Sequence, residues 1–114
     1  MRVTTDFWVS ALVRRIFADG GFAAIVKRGA TEAGAVFLIV RDRLGGVTLF
    51  GPAPQTSYDA AKPDERFFLR HDLDGDTALE NFLEKEGRFD RDIWVVEVEP
   101  GQTRIESMIV LSDK

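Results

Sequence analysis

The stretch HDLDGDTALENFLE (71–84) is where this chain comes nearest to chemistry, and its residue types suggest two kinds. Asp72, Asp74 and Asp76 alternate as the first three oxygen ligands of an EF-hand calcium loop do, and Leu79 fits the apolar position that follows. His71 beside Asp72 is half of a nucleophile-activating triad. Each reading then fails on its remaining parts. A calcium loop needs glycine at its sixth place and a bidentate glutamate at its twelfth. Thr77 and Leu83 stand there instead, with Glu84 one residue late. The preceding FFLRH reads as a strand rather than an incoming helix. A capping box accounts for the same residues, with Thr77 as N-cap, Glu80 reaching back, and Asp74 and Asp76 near the positive end of the helix dipole.

His71 is the only histidine, there are no cysteines, and no serine sits in a Gly-x-Ser-x-Gly elbow. That combination leaves no usual zinc set, no thiol nucleophile and no disulfide. The remaining candidate is the loop GPAPQTSYDAAKPDER (51–66), which has three prolines and no apolar period. Long structureless loops in compact domains are often functional. This one brings Gln55, Thr56, Ser57, Tyr58 and Arg66 near His71 in sequence. His71, Tyr58 and Arg66 are therefore the candidate catalytic residues of a small-molecule or metal-dependent enzyme, against the alternative of a plain surface excursion. A P-loop is absent, because Gly20–Gly21 and Gly45–Gly46 lack the following Lys-Ser/Thr. AVFLIVRDRLGGVTLFGP could belong to a Nudix sheet, but the metal-binding helix is missing. The balance leans away from an enzyme, and no cofactor is expected.

The elements that would position these residues follow from periodicity. A first helix over about 6–18 is capped by Thr4 or Thr5 and leaves through Gly20–Gly21. Apolar runs at 22–29, 34–43 and 47–51 predict three strands in an antiparallel meander. The middle one is apolar on both faces and so lies inside the sheet. A strand at 67–71, a helix over 77–86 stopped by Gly87, a strand at 92–100 and a last strand at 104–111 complete the order α-β-β-β-β-α-β-β. This predicts an α+β fold of one domain, 1–114, with two helices and a mainly antiparallel sheet of five to six strands. Trp94, Val96 and Val98 should face inward, and Glu97 and Glu99 outward.

Charge excludes one class of partner. The chain of 114 residues carries a net −4, which is not the footprint of a nucleic-acid binder. Residues 1–57 hold seven Lys/Arg against four Asp/Glu, net +3, and 58–114 hold eight against fifteen, net −7. The apolar run 35–40 is too short to span a membrane. Asp6 and Arg14–Arg15 interrupt the N-terminal apolar stretch, so it reads as fold rather than signal peptide.

The first helix is apolar nearly all round. Trp8, Val9, Leu12, Val13 and Ile16 form one arc, while Phe7, Ala11, Phe17 and Ala18 lie outside it. A domain of this size has few elements to cover a second face. The expectation is a protein partner, most simply a two-fold mate, with Phe7 and Phe17 as anchors and Ala11 and Arg14 in the same interface, against the intramolecular alternative that the 51–66 loop or the C-terminal strand lies over that face.

The opening DFWVSALVRRIFADGGFAAIVKRGATEAGAVFLIV has a tryptophan-bearing helix, a basic pair, a K/R-R-G turn and an Ala-Gly step into the apolar strand. With the late DIWVVEVE, it resembles a family of short alphaproteobacterial proteins known as domain of unknown function 1491. The resemblance covers most of the chain and rests on structural motifs. It implies a bacterial, cytoplasmic protein and carries over no activity, cofactor or catalytic residue.

Overall fold

The computed structural model describes residues 4–42, 44–53 and 66–112. Thr4 starts the first helix, α1 (Thr5–Ala18), by accepting a hydrogen bond from Phe7 N at 3.2 Å through Oγ1. The chain leaves α1 at Gly20, whose φ of 90° is a left-handed conformation that glycine adopts without strain. The other elements are β1 (Phe22–Lys27), β2 (Val36–Arg41), β3 (Val47–Pro52), β4 (Phe67–Leu73), α2 (Asp76–Phe89), β5 (Trp94–Glu99), a 3-10 turn (Ile105–Ser107) and β6 (Val110–Leu111). The predicted α+β class and element order hold.

The sheet is mixed, in the order β1-β5-β2-β3-β4-β6, and this corrects the expected meander. β2, β3 and β4 do run antiparallel in sequence, but β5 enters between β1 and β2, antiparallel to the first and parallel to the second. The reason lies in side-chain coverage. β2 and β5, like β3, carry buried apolar residues on both faces, and setting them inside the sheet lets both faces be covered. β1 keeps the edge, with Phe22 and Val26 exposed. The chain between β1 and β2 wraps the start of β5, where Ala30 N donates to Asp92 O at 3.1 Å and Trp94 Nε1 to Ala30 O at 2.8 Å.

Strand alternation divides the core into two layers. On one face Val9, Leu12 and Ile16 of α1 pack on Leu38, Phe50, Phe68, Trp94 and Val96. On the other, Leu79, Phe82 and Leu83 of α2 cover Phe37, Ile39, Leu49 and Val95.

Three further expectations need correction. Thr77 is not the cap of α2: the helix begins at Asp76 after Gly75, which has φ 91° and no side-chain cap bond. β4 stays paired through Asp72 and Leu73, leaving only Asp74 and Gly75 to turn the corner, so the helix starts early. Nor does Gly87 stop it, since α2 continues to Phe89. The expected final strand is mostly a 3-10 turn with a two-residue β6. Ile105 is drawn into the core, so the segment folds under rather than extending.

Candidate functional site

Of the candidate catalytic residues, His71 and Arg66 do not converge. His71 faces the α2 layer, opposite Leu49, with its ring 5.0 Å from that of Phe82. Arg66 lies on the α1 side, donating from Nη1 to Gly34 O at 3.2 Å and from Nη2 to Thr5 Oγ1, with its guanidinium 5.6 Å over the Trp8 ring. The sheet separates the two. Arg66 acts as a clasp joining α1, the 28–35 connection and the start of β4. Tyr58 lies outside the described residues, as do positions 54–65 of the loop. Asp72, adjacent to His71 in sequence, alternates to the opposite face and accepts from Arg70 Nε at 3.0 Å.

The three aspartates are likewise dispersed. Asp72 pairs with Arg70, and Asp76 accepts from Arg41 Nε at 3.1 Å on α2's side of the sheet. Among the described residues no group of three acidic or imidazole side chains is placed to hold a metal.

Among the described residues, no element covers the outer face of α1. Phe7 is 64% exposed and Phe17 49%; Arg14 is exposed and Ala11 half-buried. Trp8, by contrast, is drawn inward against Phe68, 5.6 Å between ring centroids, and under Arg66. Phe17 meets Phe22 of β1 edge-on at 5.5 Å, so an aromatic pair stands where α1 ends and the edge strand begins.

A feature that sequence reasoning missed lies on the α2 side. That helix covers β3, β4 and the Phe37, Ile39 and Val95 side chains, leaving the sheet open beyond them, where Phe22 of β1, Glu97 and Glu99 of β5 and Arg41 of β2 come together. There a trough of about 650 Å³ is lined by Phe22, Ile39, Arg41, Asp42, Glu97 and Glu99, among others. Arg41 is held between Glu97 (2.8 Å) and Asp76 (3.1 Å), and the hydrogen bonds to Glu97 and then Asp76 raise its pKa. Asp42 Oδ1 is occupied by the amides of Leu44 and Gly46, both at 2.8 Å. Glu99 has no ion pair among the described residues. The alternation of Glu97 and Glu99 was legible as outward-facing; that Phe22 stands beside them was not, because it depends on the β1–β5 pairing.

No helix of the described residues is long and apolar enough to cross a membrane. None of the curated proteins matches the chain. Among solved structures it is similar to protein Atu0922 from A. tumefaciens, with 42% identity, TM-score 0.79, and 100% of this chain and 98% of that one covered. It is also similar to a DUF1491 family protein from Caulobacter crescentus, known from crystal and NMR structures. The crystal structure gives 33% identity, TM-score 0.75, and 99% of this chain and 100% of that one covered; the NMR structure gives the same identity and TM-score. The model for the proteins of unknown function DUF1491 matches residues 3–106, and with these relatives it establishes that the chain belongs to the DUF1491 family.

Proposed function

We propose that this protein is a non-catalytic interaction module that associates with its own copy through the outer face of α1. The observation that carries the reading is the exposure of Phe7 and Phe17 on a helix whose opposite side is already buried. Large exposed aromatic side chains are favoured anchors of interfaces. Their spacing supports a two-fold arrangement. Ten residues separate them, about 15 Å of helix. Two antiparallel copies crossing level with Leu12, on the face opposite that buried side chain, would therefore set Phe7 against Phe17 of the mate. The same register sets Arg14 opposite Ser10 of the mate, so the two arginines avoid one another. The absence of cysteine is compatible with a reducing cytosol as the setting.

Sedimentation velocity at micromolar concentration tests the proposal. The expected result is a dimer that becomes a folded monomer in Phe7→Glu/Phe17→Glu, with an unchanged far-UV circular dichroism spectrum. A wild type that sediments as a monomer overturns it. The rival reading, an enzyme with its site beneath the 51–66 loop, gains no support from His71 and Arg66, which occupy opposite sides of the sheet.

A further inference from the structure

The trough and the strand beside it form a second surface, which meets the outer face of α1 only at the Phe17–Phe22 pair. Three properties of that surface combine. First, β1 is an edge strand, and no described strand pairs its outer side, so its backbone groups there can receive another chain. Second, the usual protections of such an edge are weak over its first half: Phe22, Ala23, Ala24 and Ile25 carry neither proline nor charge. Only at Val26 does a bulge interrupt the register, followed by Lys27. Phe22 is 53% exposed and Val26 59%. Third, the floor behind the edge is acidic. Asp42, Glu97 and Glu99 outnumber Arg41 by two charges, and Glu99 is unpaired among the described residues.

Register connects these properties. Glu99 lies opposite Phe22, and Glu97 lies opposite Ala24. A strand added outside β1 would stand about 10 Å from β5, twice the spacing between neighbouring strands. A lysine or arginine projecting toward a glutamate covers that span. Ala24 presents only a methyl group in between, so a basic side chain opposite it has a clear path to Glu97. A residue opposite Phe22 meets an exposed ring, with Glu99 just behind.

We propose that the free edge of β1 and the trough behind it dock an extended, basic segment of a partner protein. The segment adds as a seventh strand and lays alternate side chains over Phe22, Ala24, Glu97 and Glu99. Backbone pairing supplies the general attraction, as in other strand-addition complexes, and the acidic floor selects for Lys or Arg at every second position. Arg41, clamped between Glu97 and Asp76, holds Glu97 in place from the far side. The bulge at Val26 limits the usable edge to about four residues, which favours a short segment over open-ended sheet growth.

The test uses the full chain, 15N-labelled, and a fluorescein-tagged eight-residue peptide alternating threonine with lysine. Saturable binding is expected, with amide shifts centred on residues 22–25 and affinity falling as salt rises. Glu99→Lys should weaken binding about tenfold, as reversal of a facing charge does, while leaving the spectrum folded. A peptide of the same charge with its ladder amides N-methylated should not bind, and neither should the threonine–glutamate peptide. Any of three results overturns the proposal: no binding by the lysine peptide, equal binding by the methylated peptide, or shifts centred away from β1. Loss of the edge in concentration-dependent pairing with a second copy, without peptide, also overturns it. Because Glu99 does not lie on α1, failure here leaves the α1 dimer untouched, and failure of that dimer leaves this site standing.

Discussion

Asp19 and Thr103 stand 84 positions apart and are joined twice: Thr103 N donates to Asp19 Oδ2 at 2.6 Å, and Thr103 Oγ1 to Asp19 Oδ1 at 2.8 Å. The pair ties the exit of α1 to the turn after β5, next to the point where Gln102 N donates to the Asp19 carbonyl at 3.2 Å. The backbone bond from Thr103, then its hydroxyl, hold the Asp19 carboxyl below its ordinary value. A carboxyl whose folded pKa is depressed contributes stability that is present above its unfolded value and is lost as pH falls through the folded one. The expected outcome is that Asp19→Asn lowers the urea midpoint at pH 7. The gap between variant and wild type should narrow below about pH 4, the ordinary aspartate range. A gap that stays constant down to pH 2 would show that the carboxylate charge does not matter.

Thr5 is fully buried, and its hydroxyl accepts from Gly34 N at 3.2 Å as well as from Arg66. Thr5→Val keeps the shape and removes the acceptor of the Gly34 amide. A loss of roughly 1–3 kcal/mol is expected, the cost of leaving a buried donor unsatisfied. Chemical denaturation measures it.

Gly75 and Thr77 exchange the roles that the capping-box pattern assigns. Gly75→Ala forces a side chain into φ 91° and should cost about 1 kcal/mol or more. Thr77→Ala, at an exposed position without a cap bond, should stay within about 0.5 kcal/mol of wild type. Equal losses in the two variants would contradict the observed start of α2.

Gly29 passes directly over the start of β5. A Cβ there would meet Asp92 O, with Ile93 O and Trp94 Cδ1 each at 2.7 Å. Gly29→Ala should therefore destabilise by roughly 1–3 kcal/mol, in the range of overpacked cores. It should also disturb the Trp94 indole N–H signal, which reports the bond to Ala30 O. Gly87→Ala, where a Cβ meets nothing, should stabilise by about 0.5–1 kcal/mol.

Calcium titration by calorimetry should give no saturable heat at micromolar concentration. Asp72 and Asp76 are each engaged by a different arginine. A saturable signal abolished by Asp74→Ala would reverse this reading.

Much of the architecture was legible because it depends on local chemistry. The Thr4 cap, the Gly20 exit and the apolar stripe of α1 are set by residues within a turn or two of one another. The two-faced apolarity of Val36–Val40 placed β2 inside the sheet on composition alone. The start of α2 was misread because the capping-box pattern fits Thr77 as well as a glycine corner fits Gly75. Only the length of β4, set by its pairing with β3, decides between them.

The sequence by itself determined the fold class, the element order and the two apolar layers, since each follows from period and turn chemistry along one stretch of chain. Strand neighbours are a different matter. β1 pairs with β5, about 70 residues later, because β2 and β5 need coverage on both faces and β1 does not. No pattern local to either strand carries that comparison. The same long-range choice put Phe22 beside Glu97 and Glu99, and strand alternation through β4 sent His71 and Arg66 to opposite sides of the sheet. What this protein can touch was therefore decided by tertiary pairing, because a site is a matter of which strands are neighbours, and adjacency in sequence turned His71 and Asp72 away from each other.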